Sequence, residues 1–271
     1  MLGYWMKRTK RSSMQQSDID HKLLRAVHAG SAAKLSERLA CGADPKADES
    51  YALRSAAADG YVECVRLLLP VSDPKAKESY ALRAAAGNGH AECVRLLWAV
   101  SDPKADESHA FRSAATHGHV ECVRLLLPVS DPKAKESFAL RGAASGGHAE
   151  CVRLLLPVSD PKAMDSYALR LAAENGHAEC VRILLAASGP LCEIGGLLEA
   201  VLECGQTTVA ALLVEKEPRL LNGVDLSKCL AGARESGYGG LGAYLSALMD
   251  QKELSSVAPN AARCRLGAAR L

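Results

Sequence analysis

Apolar residues recur with helical spacing in two short groups within a stretch of 29 residues. One such stretch begins at Asp73 and reads "DPKAKESYALRAAAGNGHAECVRLLWAVS". Leu82, Ala85 and Ala86 are spaced i, i+3 and i+4, so they lie on one face of a helix. After Gly89, a second apolar group comprises Cys93, Val94, Leu96 and Leu97. The pattern predicts two short helices, with Gly89 as the left-handed residue that ends the first.

The start of the first helix has two interpretations. Ser79 is a natural N-cap for a short helix that begins at Tyr80. Alternatively, Asp73 caps a longer helix with Pro74 at its first position. We favour the short helix, with Asp-Pro as a turn. The end of the second helix is marked by proline in three copies, at Pro70, Pro128 and Pro157.

The two-helix pattern is repeated along the chain. The motif Asp-Pro-Lys-Ala begins at Asp44, Asp73, Asp102, Asp131 and Asp160, always 29 residues apart. Self-similarity at such a period predicts a stacked array of five repeats over residues 44–188. Helices of two turns are unstable alone, so each repeat must bury its apolar face against the next. We expect the Ala pairs (56/57, 85/86, 114/115, 143/144, 172/173) to allow close approach and the Leu pairs (67/68, 96/97, 125/126, 154/155) to fill the space between repeats.

These residues resemble the ankyrin repeat. The core "A-A-x-x-G-H-x-E-x-V-x-L-L" of that family is matched by residues 85–97 and recurs from Ala114, Ala143 and Ala172. The first repeat has Tyr61 in place of the histidine. The family has a period of about 33 residues and opens its first helix with Thr-Pro-Leu-His. Here the period is 29 and the helix opens with Tyr80-Ala81-Leu82-Arg83.

The shorter period carries a structural expectation. The missing residues belong to the loop that forms a projecting β-hairpin in ankyrin repeats, and "PVSDPKAKES" is too short for it. We therefore expect an all-α, ankyrin-like solenoid of about eight helix–turn–helix units, with the hairpins reduced or absent. Residues 18–43 would form an N-terminal capping repeat and residues 189–251 two degenerate repeats. Residues 1–17 would be a disordered basic tail and residues 252–271 a flexible tail.

Composition and charge exclude several functional classes. Aromatic residues make up 4% of the chain, so Leu, Ala and Val must build the core. The net charge of +2 provides no overall field for nucleic acid or membrane binding. No apolar run approaches the roughly 18 residues of a membrane span. Five of the ten cysteines follow the 29-residue period, which indicates repeated core positions rather than disulfides. Reduced thiols favour a cytoplasmic protein.

Three motifs are typical of zinc binding, disulfide formation and nucleotide binding, but their spacing and context do not fit these roles. Neighbouring repeats lie roughly 8–10 Å apart, too far for the repeated histidines (90, 119, 148, 177) to share zinc or for the repeated cysteines to form disulfides. "GYGGLG", from Gly237, lacks the preceding strand of a nucleotide site and falls at an expected turn between helices. No set of unlike catalytic groups occurs. We expect no cofactor, no metal and no enzymatic activity.

Arginines of the first helix form the most informative series. Each lies three residues after an aromatic residue or histidine, at a position that is near the concave face in ankyrin repeats. Packing between repeats and contact with a partner are both open as explanations, since aromatic residues and Arg dominate interface hot spots. The candidate partner-binding residues are Tyr51, Arg54, Ser55, Tyr80, Arg83, Ala84, His109, Arg112, Ser113, Phe138, Arg141, Tyr167, Arg170 and Leu171. Contact with a partner implies that Arg112→Ala weakens binding and barely alters melting.

The resemblance implies a monomeric, non-catalytic scaffold that binds an unidentified partner protein along its concave face. One alternative is nucleic-acid or anionic-ligand binding through the first-helix arginines, but each repeat is nearly balanced in charge. Another is a bacterial effector, translocated into a host cell, that acts on a host protein. Arginine and glutamate three residues apart on the second helix, as at Glu92 and Arg95, predict ion pairs on a solvated face.

Overall fold

The computed structural model describes residues 16–188, 196–235 and 237–250. The tails expected at 1–17 and 252–271 lie outside these residues, except that residues 16 and 17 belong to the first helix. The chain divides into two compact bodies between Asp160 and Pro161. We call these the first and the second body and describe each by itself.

The first body contains ten helices, α1–α10, among its described residues. They are α1 (16–28), α2 (Ala32–Ala40), α3 (Ala47–Ala58), α4 (Val62–Leu68), α5 (Ala76–Gly87), α6 (Ala91–Leu97), α7 (Ala105–Thr116), α8 (Val120–Leu126), α9 (Ala134–Ser145) and α10 (Ala149–Leu155). The second body has α11 (Ala163–Glu174), α12 (Ala178–Ser188), α13 (Leu197–Glu203), α14 (Thr207–Lys216), a 3₁₀ helix (Pro218–Gly223), α15 (Leu226–Glu235) and α16 (239–250).

Helices of the same kind stack in series within the first body. The first helices of the repeats pack in the order α3, α5, α7, α9, and the second helices in the order α2, α4, α6, α8, α10. The described ranges contain helices and turns but no strand, so the expected all-α stack without β-hairpins is confirmed there. This arrangement brings equivalent residues of successive repeats side by side.

Small and branched side chains form the core between the stacked helices. Leu82, Ala85 and Ala86 on α5 and Leu97 on α6 have no exposed surface, as the pattern predicted. The prediction that both leucines of each pair fill the core is wrong, because Leu67 remains 37% exposed while Leu68 is fully buried. Adjacent helical residues point about 100° apart, so only one of the two can face the neighbouring repeat.

The start of each first helix has an unusual backbone. In α5 the residues Lys77, Glu78 and Ser79 have φ of 49°, 56° and 58°, so the right-handed helix begins at Tyr80. The short-helix interpretation is therefore correct about the start, but the preceding segment is one left-handed turn. The same turn occupies residues 48–50, 106–108, 135–137 and 164–166. Left-handed conformation costs roughly 1–2 kcal/mol for a non-glycine residue, so other contacts must hold the turn.

Side chains of the short loop provide some of those contacts. Asp73 Oδ1 accepts a hydrogen bond of 2.9 Å from the backbone N–H of Lys75. Ser79 is not the N-cap expected from the sequence, because its Oγ accepts a 2.8 Å hydrogen bond from the backbone N–H of Asp102 in the next repeat. Ser101 Oγ in turn donates to the carbonyl of Pro74 at 3.2 Å. Successive loops are thus joined by serine hydrogen bonds.

Proline is not required to end the second helix. The helix α6 ends at Leu97 although Ala99 stands where other repeats have proline. The carbonyl of Leu97 accepts hydrogen bonds from the N–H groups of Val100 and Ser101, which close the same turn.

Candidate functional site

Aromatic and arginine side chains alternate along the first helices of the first body. We call this surface the aromatic–arginine row; it consists of Tyr51, Arg54, Tyr80, Arg83, His109, Arg112, Phe138 and Arg141. The guanidinium carbon of Arg54 lies 5.3 Å from the ring centroid of Tyr51 and 5.5 Å from that of Tyr80. Each arginine therefore contacts a ring of its own repeat, of the next repeat, or of both.

Two aromatic rings of the row are each flanked by two guanidinium groups. Tyr80 has Arg54 at 5.5 Å and Arg83 at 5.6 Å from its ring centroid. Phe138 has Arg112 at 5.3 Å and Arg141 at 5.4 Å. These distances lie within the roughly 6 Å range of cation–π attraction. The structure thus brings the predicted site residues of neighbouring repeats into contact.

The arginines also donate to the left-handed turns. Arg54 donates from Nη2 to the carbonyl of Asp48 at 2.8 Å and from Nε to that of Glu49 at 3.1 Å. Arg112 makes the equivalent bonds in its repeat. Because Arg54 and Arg112 are only 8% and 7% exposed, their guanidinium groups serve the fold more than the surface.

We number the five repeats from the one that begins at Asp44, so that Arg83 and Arg141 belong to the even repeats, the second and the fourth. These two arginines are placed differently from Arg54 and Arg112. Arg83 donates from Nη2 to the carbonyl of Lys77 at 2.9 Å and from Nη1 to Asp106 Oδ2 at 3.0 Å in the following repeat. Its Nε is buried without a hydrogen-bond partner. Arg141 donates to the carbonyl of Lys135 at 2.7 Å. Arg83 and Arg141 are therefore half-buried rather than fully buried, and Arg83 joins two repeats through an ion pair.

Within the first body, the exposure of the rings follows the same alternation. Tyr80 and Phe138, in even repeats, are 42% and 38% exposed, whereas Tyr51 and His109, in odd repeats, are half-buried. Sequence reasoning missed this period of two repeats. Its signal is visible at the first residue of the left-handed turn, which alternates Asp48, Lys77, Asp106, Lys135.

Ion pairs between repeats follow from this alternation. Lys77 Nζ lies 3.3 Å from Glu49 Oε2, and Lys135 Nζ lies 3.4 Å from Glu107 Oε2. Lys77 of the second repeat and Lys135 of the fourth therefore pair with the repeat that precedes each of them. Arg83 pairs with Asp106 of the odd repeat that follows.

His109 occupies the aromatic position of the third repeat. Its Nδ1 is buried without a hydrogen-bond partner. Burial, together with the nearby charges of Arg83 and Arg112, lowers the pKa of this imidazole. The neutral form of His109 is favoured between the two arginines.

Positions that differ among the repeats are partly matched to their neighbours. A Cβ on Gly142 would overlap Thr116 Oγ1 of the preceding repeat, and one on Gly87 would lie 2.7 Å from Ser113 Oγ. Ser55 Oγ lies 3.4 Å from His28 Nδ1 on α1. Variation among the equivalent residues Ser55, Ala84, Ser113 and Gly142 thus includes complementary packing between repeats.

The remaining candidates, Tyr167, Arg170 and Leu171, lie on α11 in the second body. Tyr167 is 36% exposed, and Arg170 and Leu171 are half-buried. They hold the same positions on their helix as Tyr80, Arg83 and Ala84 on α5.

The other series have structural roles. His90, His119 and His148 each bring Nε2 within 3.0–3.1 Å of a carbonyl oxygen in the preceding repeat. Cys93 and Cys122 are buried free thiols, and burial raises the pKa of each to about 11. The second-helix ion pairs are confirmed, for example by Arg95 Nε at 3.4 Å from Glu92 Oε1. Gly237 lies in a turn before α16, as expected for "GYGGLG".

The described part of the chain contains neither a metal-binding cluster nor a membrane-spanning helix. Residues 16–188, 196–235 and 237–250 contain no group of three or more His, Cys, Asp or Glu side chains that could hold a metal ion. None of the helices in these ranges is both long enough and apolar enough to cross a membrane.

Comparisons with known proteins agree with this architecture. The family model described as ankyrin repeats (3 copies) matches residues 23–106, 55–136, 111–194 and 140–224, which together span more than half of the chain. The crystal structure of the human ASB11 ankyrin repeat domain is similar, with a TM-score of 0.57 and 22% sequence identity over 62% of this chain and 84% of that chain. At this identity the likeness concerns the fold alone. A search of curated proteins found no match. The chain belongs to the ankyrin repeat family.

Proposed function

We propose that this protein is a non-catalytic scaffold whose first body binds a partner protein on the aromatic–arginine row. Ankyrin repeats are generally protein–protein interaction modules. A row that runs along stacked helices offers a partner an extended contact surface without requiring a deep pocket. Aromatic side chains provide large, rigid contact area at low entropic cost.

One observation carries the proposal: Tyr80 and Phe138 stay 42% and 38% exposed while two guanidinium groups flank each ring within cation–π distance. Large apolar side chains that remain exposed in a fixed orientation are suited to binding, because little conformational freedom is lost on association. The arginines support the rings, and the rings form the contact surface.

The same geometry disfavours binding of nucleic acid or other anions through these arginines. Arg54 and Arg112 are nearly buried and donate to backbone carbonyls, so their charged groups are poorly accessible to phosphate. Phosphate contacts generally require accessible Lys and Arg side chains. We also place the protein in a reducing compartment such as the cytoplasm, because Cys64, Cys93 and Cys122 are free thiols.

A comparative pull-down tests the proposal. The wild type is compared with Tyr80→Ala/Phe138→Ala and with the control Leu67→Ala/Val100→Ala, which removes two exposed apolar side chains outside the row. Circular dichroism checks that all three are folded. We expect at least one protein to be retained by the wild type and the control but lost from the row variant. If every captured protein binds all three equally, the row is not the binding surface.

A further inference from the structure

We propose that the partner segment held by the aromatic–arginine row is basic, with lysine or arginine side chains that pair with carboxylates beside Tyr80 and Phe138. This inference rests on the proposed function, since it assigns the chemistry of the partner to the same surface. It follows from the distribution of exposed charge around the row, which differs from that of the whole chain.

The loops beside the row carry an excess of exposed carboxylates. Loop residues 44–50, 73–79, 102–108 and 131–137 contain ten Asp or Glu and six Lys, and all sixteen side chains are exposed. Six positive charges minus ten negative charges gives −4 for these exposed loop side chains, whereas the chain as a whole has a net charge of +2. The four arginines of the row offset this sum, but their side chains are buried or half-buried. A basic partner would therefore be attracted by the local surface and not by the overall charge.

The arginines of the row are less accessible than the carboxylates beside them. The side chains of Arg54 and Arg83 are 10% and 18% exposed, whereas those of Asp48 and Glu78 are 74% and 72% exposed. Lys77 and Lys135 are paired with glutamates of the preceding repeats. A partner that approaches the row consequently meets carboxylates before it meets guanidinium groups.

At Tyr80 the two arginines that flank the ring are themselves close to carboxylates. Arg54, which flanks the ring, lies 3.9 Å from Asp48 Oδ2. Arg83, on the other side, lies 3.0 Å from Asp106 Oδ2 and 4.0 Å from Glu78 Oε2. A lysine or arginine of the partner can place its aliphatic stem against the exposed ring edge and its charged group beside these carboxylates.

The alternation of repeats also indicates the spacing of the basic residues. Loops 44–50 and 102–108 carry a net charge of −2 each, while loops 73–79 and 131–137 are neutral. Acidic loops thus recur every second repeat, roughly 16–20 Å apart if neighbouring helices are 8–10 Å apart. An extended peptide rises about 3.3 Å per residue, so basic groups separated by about five or six residues match this period.

Fluorescence anisotropy with defined probes tests the inference. The first probe is a labelled peptide with two Lys-Lys pairs about six residues apart and a leucine beside each pair. The second has Glu in place of every Lys, and the third is a single-stranded DNA oligonucleotide. We expect the full-length protein to bind the lysine peptide about tenfold or more tightly than either anionic probe, and the affinity to fall between about 50 mM and 200 mM salt.

Matched variants locate the binding. Asp48→Asn/Glu78→Gln removes two carboxylates beside Tyr80, and the control Glu63→Gln/Glu92→Gln removes two from the second helices of the same repeats. We expect the first variant to weaken binding of the lysine peptide several-fold and the control to leave it unchanged. Undetectable binding of the lysine peptide, or equal loss in both variants, overturns the inference.

Failure of this inference is distinguishable from failure of the proposed function. If Tyr80→Ala/Phe138→Ala loses a captured protein but the lysine peptide does not bind, the row is an interface for a partner that is not basic. Preferential binding of the glutamate peptide or the oligonucleotide to the wild type leads to the same conclusion. If the lysine peptide binds equally to the row variant and the wild type, the basic segment is bound elsewhere and the inference is wrong.

Discussion

Arg112 donates a hydrogen bond of 2.8 Å from its Nη2 to the backbone carbonyl of Asp106. Asp106 is the first of three left-handed residues, with φ of 48°. Arg112 Nε donates to the next carbonyl, that of Glu107, at 2.9 Å. One buried guanidinium therefore satisfies two carbonyls of a turn that is unfavourable for non-glycine residues. The turn and the arginine depend on each other.

Arg112→Ala should lower the free energy of unfolding by roughly 1.5–3 kcal/mol, the scale of a hydrogen bond to a charged group. The sequence suggested that this change would barely alter melting; the 7% exposure of Arg112 replaces that expectation. Urea unfolding followed by circular dichroism measures the effect. Arg124→Ala, which removes an exposed arginine of the same repeat, is the control and should change stability little. Equal stability of Arg112→Ala and the wild type would show that the turn does not need the guanidinium.

Gly142→Ala should destabilise the array by roughly 1–3 kcal/mol, the usual range for overpacking, because its Cβ would overlap Thr116 Oγ1 of the preceding repeat. Thr116→Ala removes the obstructing hydroxyl together with its 2.9 Å hydrogen bond to the carbonyl of Arg112. In the double variant, Gly142→Ala should cost much less than it does in the wild type. A double-mutant cycle on unfolding free energies measures this coupling. Additive effects would refute the matched packing of these two residues.

Leu97→Ala and Leu96→Ala compare two adjacent leucines of one helix. Leu97 has no exposed surface, so its truncation should cost roughly 2–5 kcal/mol and leave a cavity between repeats. Leu96 is half-buried and should cost clearly less. Thermal unfolding of both variants provides the comparison, and hydrogen exchange should show loosened neighbours for Leu97→Ala only. Similar losses would contradict the inward orientation of Leu97.

The helical stack was predictable from the sequence because its causes are local and repeated. The spacing of Leu82, Ala85 and Ala86, and the 29-residue period, determine which faces are buried. The short loop correctly predicted the absence of hairpins in the described residues. The left-handed turn was not predictable, because no glycine marks it and part of its support comes from a neighbouring repeat: Ser79 Oγ accepts a hydrogen bond from the N–H of Asp102.

The sequence predicted which residues belong to the candidate site, but not which of them contact each other or how deeply they are buried. The spacing of Tyr80 and Arg83 placed both on one side of the helix. It could not reveal that Arg54, from the preceding repeat, also contacts the ring of Tyr80. Nor could it show that the arginines are largely buried, since their hydrogen-bond acceptors are backbone carbonyls, which have no signature in the sequence.

Protonation of His109 makes the folded protein less stable as the pH falls. Burial and the charges of Arg83 and Arg112 lower its pKa in the folded protein, whereas Asp106 has the opposite, smaller effect. The unfolded chain therefore binds a proton at His109 more readily than the folded protein does. Its contribution to stability is fully present above the unfolded pKa of about 6.5 and is lost as the pH falls below that value.

His109→Phe removes this titration and places at position 109 the residue found at the equivalent position 138. Between about pH 7.5 and pH 5 the wild type should lose more unfolding free energy than His109→Phe does. Urea unfolding at several pH values measures both curves. Some decline should remain in the variant, because burial also lowers the pKa of His119. Tyr80→Phe, a change in the same row that involves no imidazole, should retain the wild-type dependence. Identical pH curves for the wild type and His109→Phe would mean that protonation of His109 does not oppose folding.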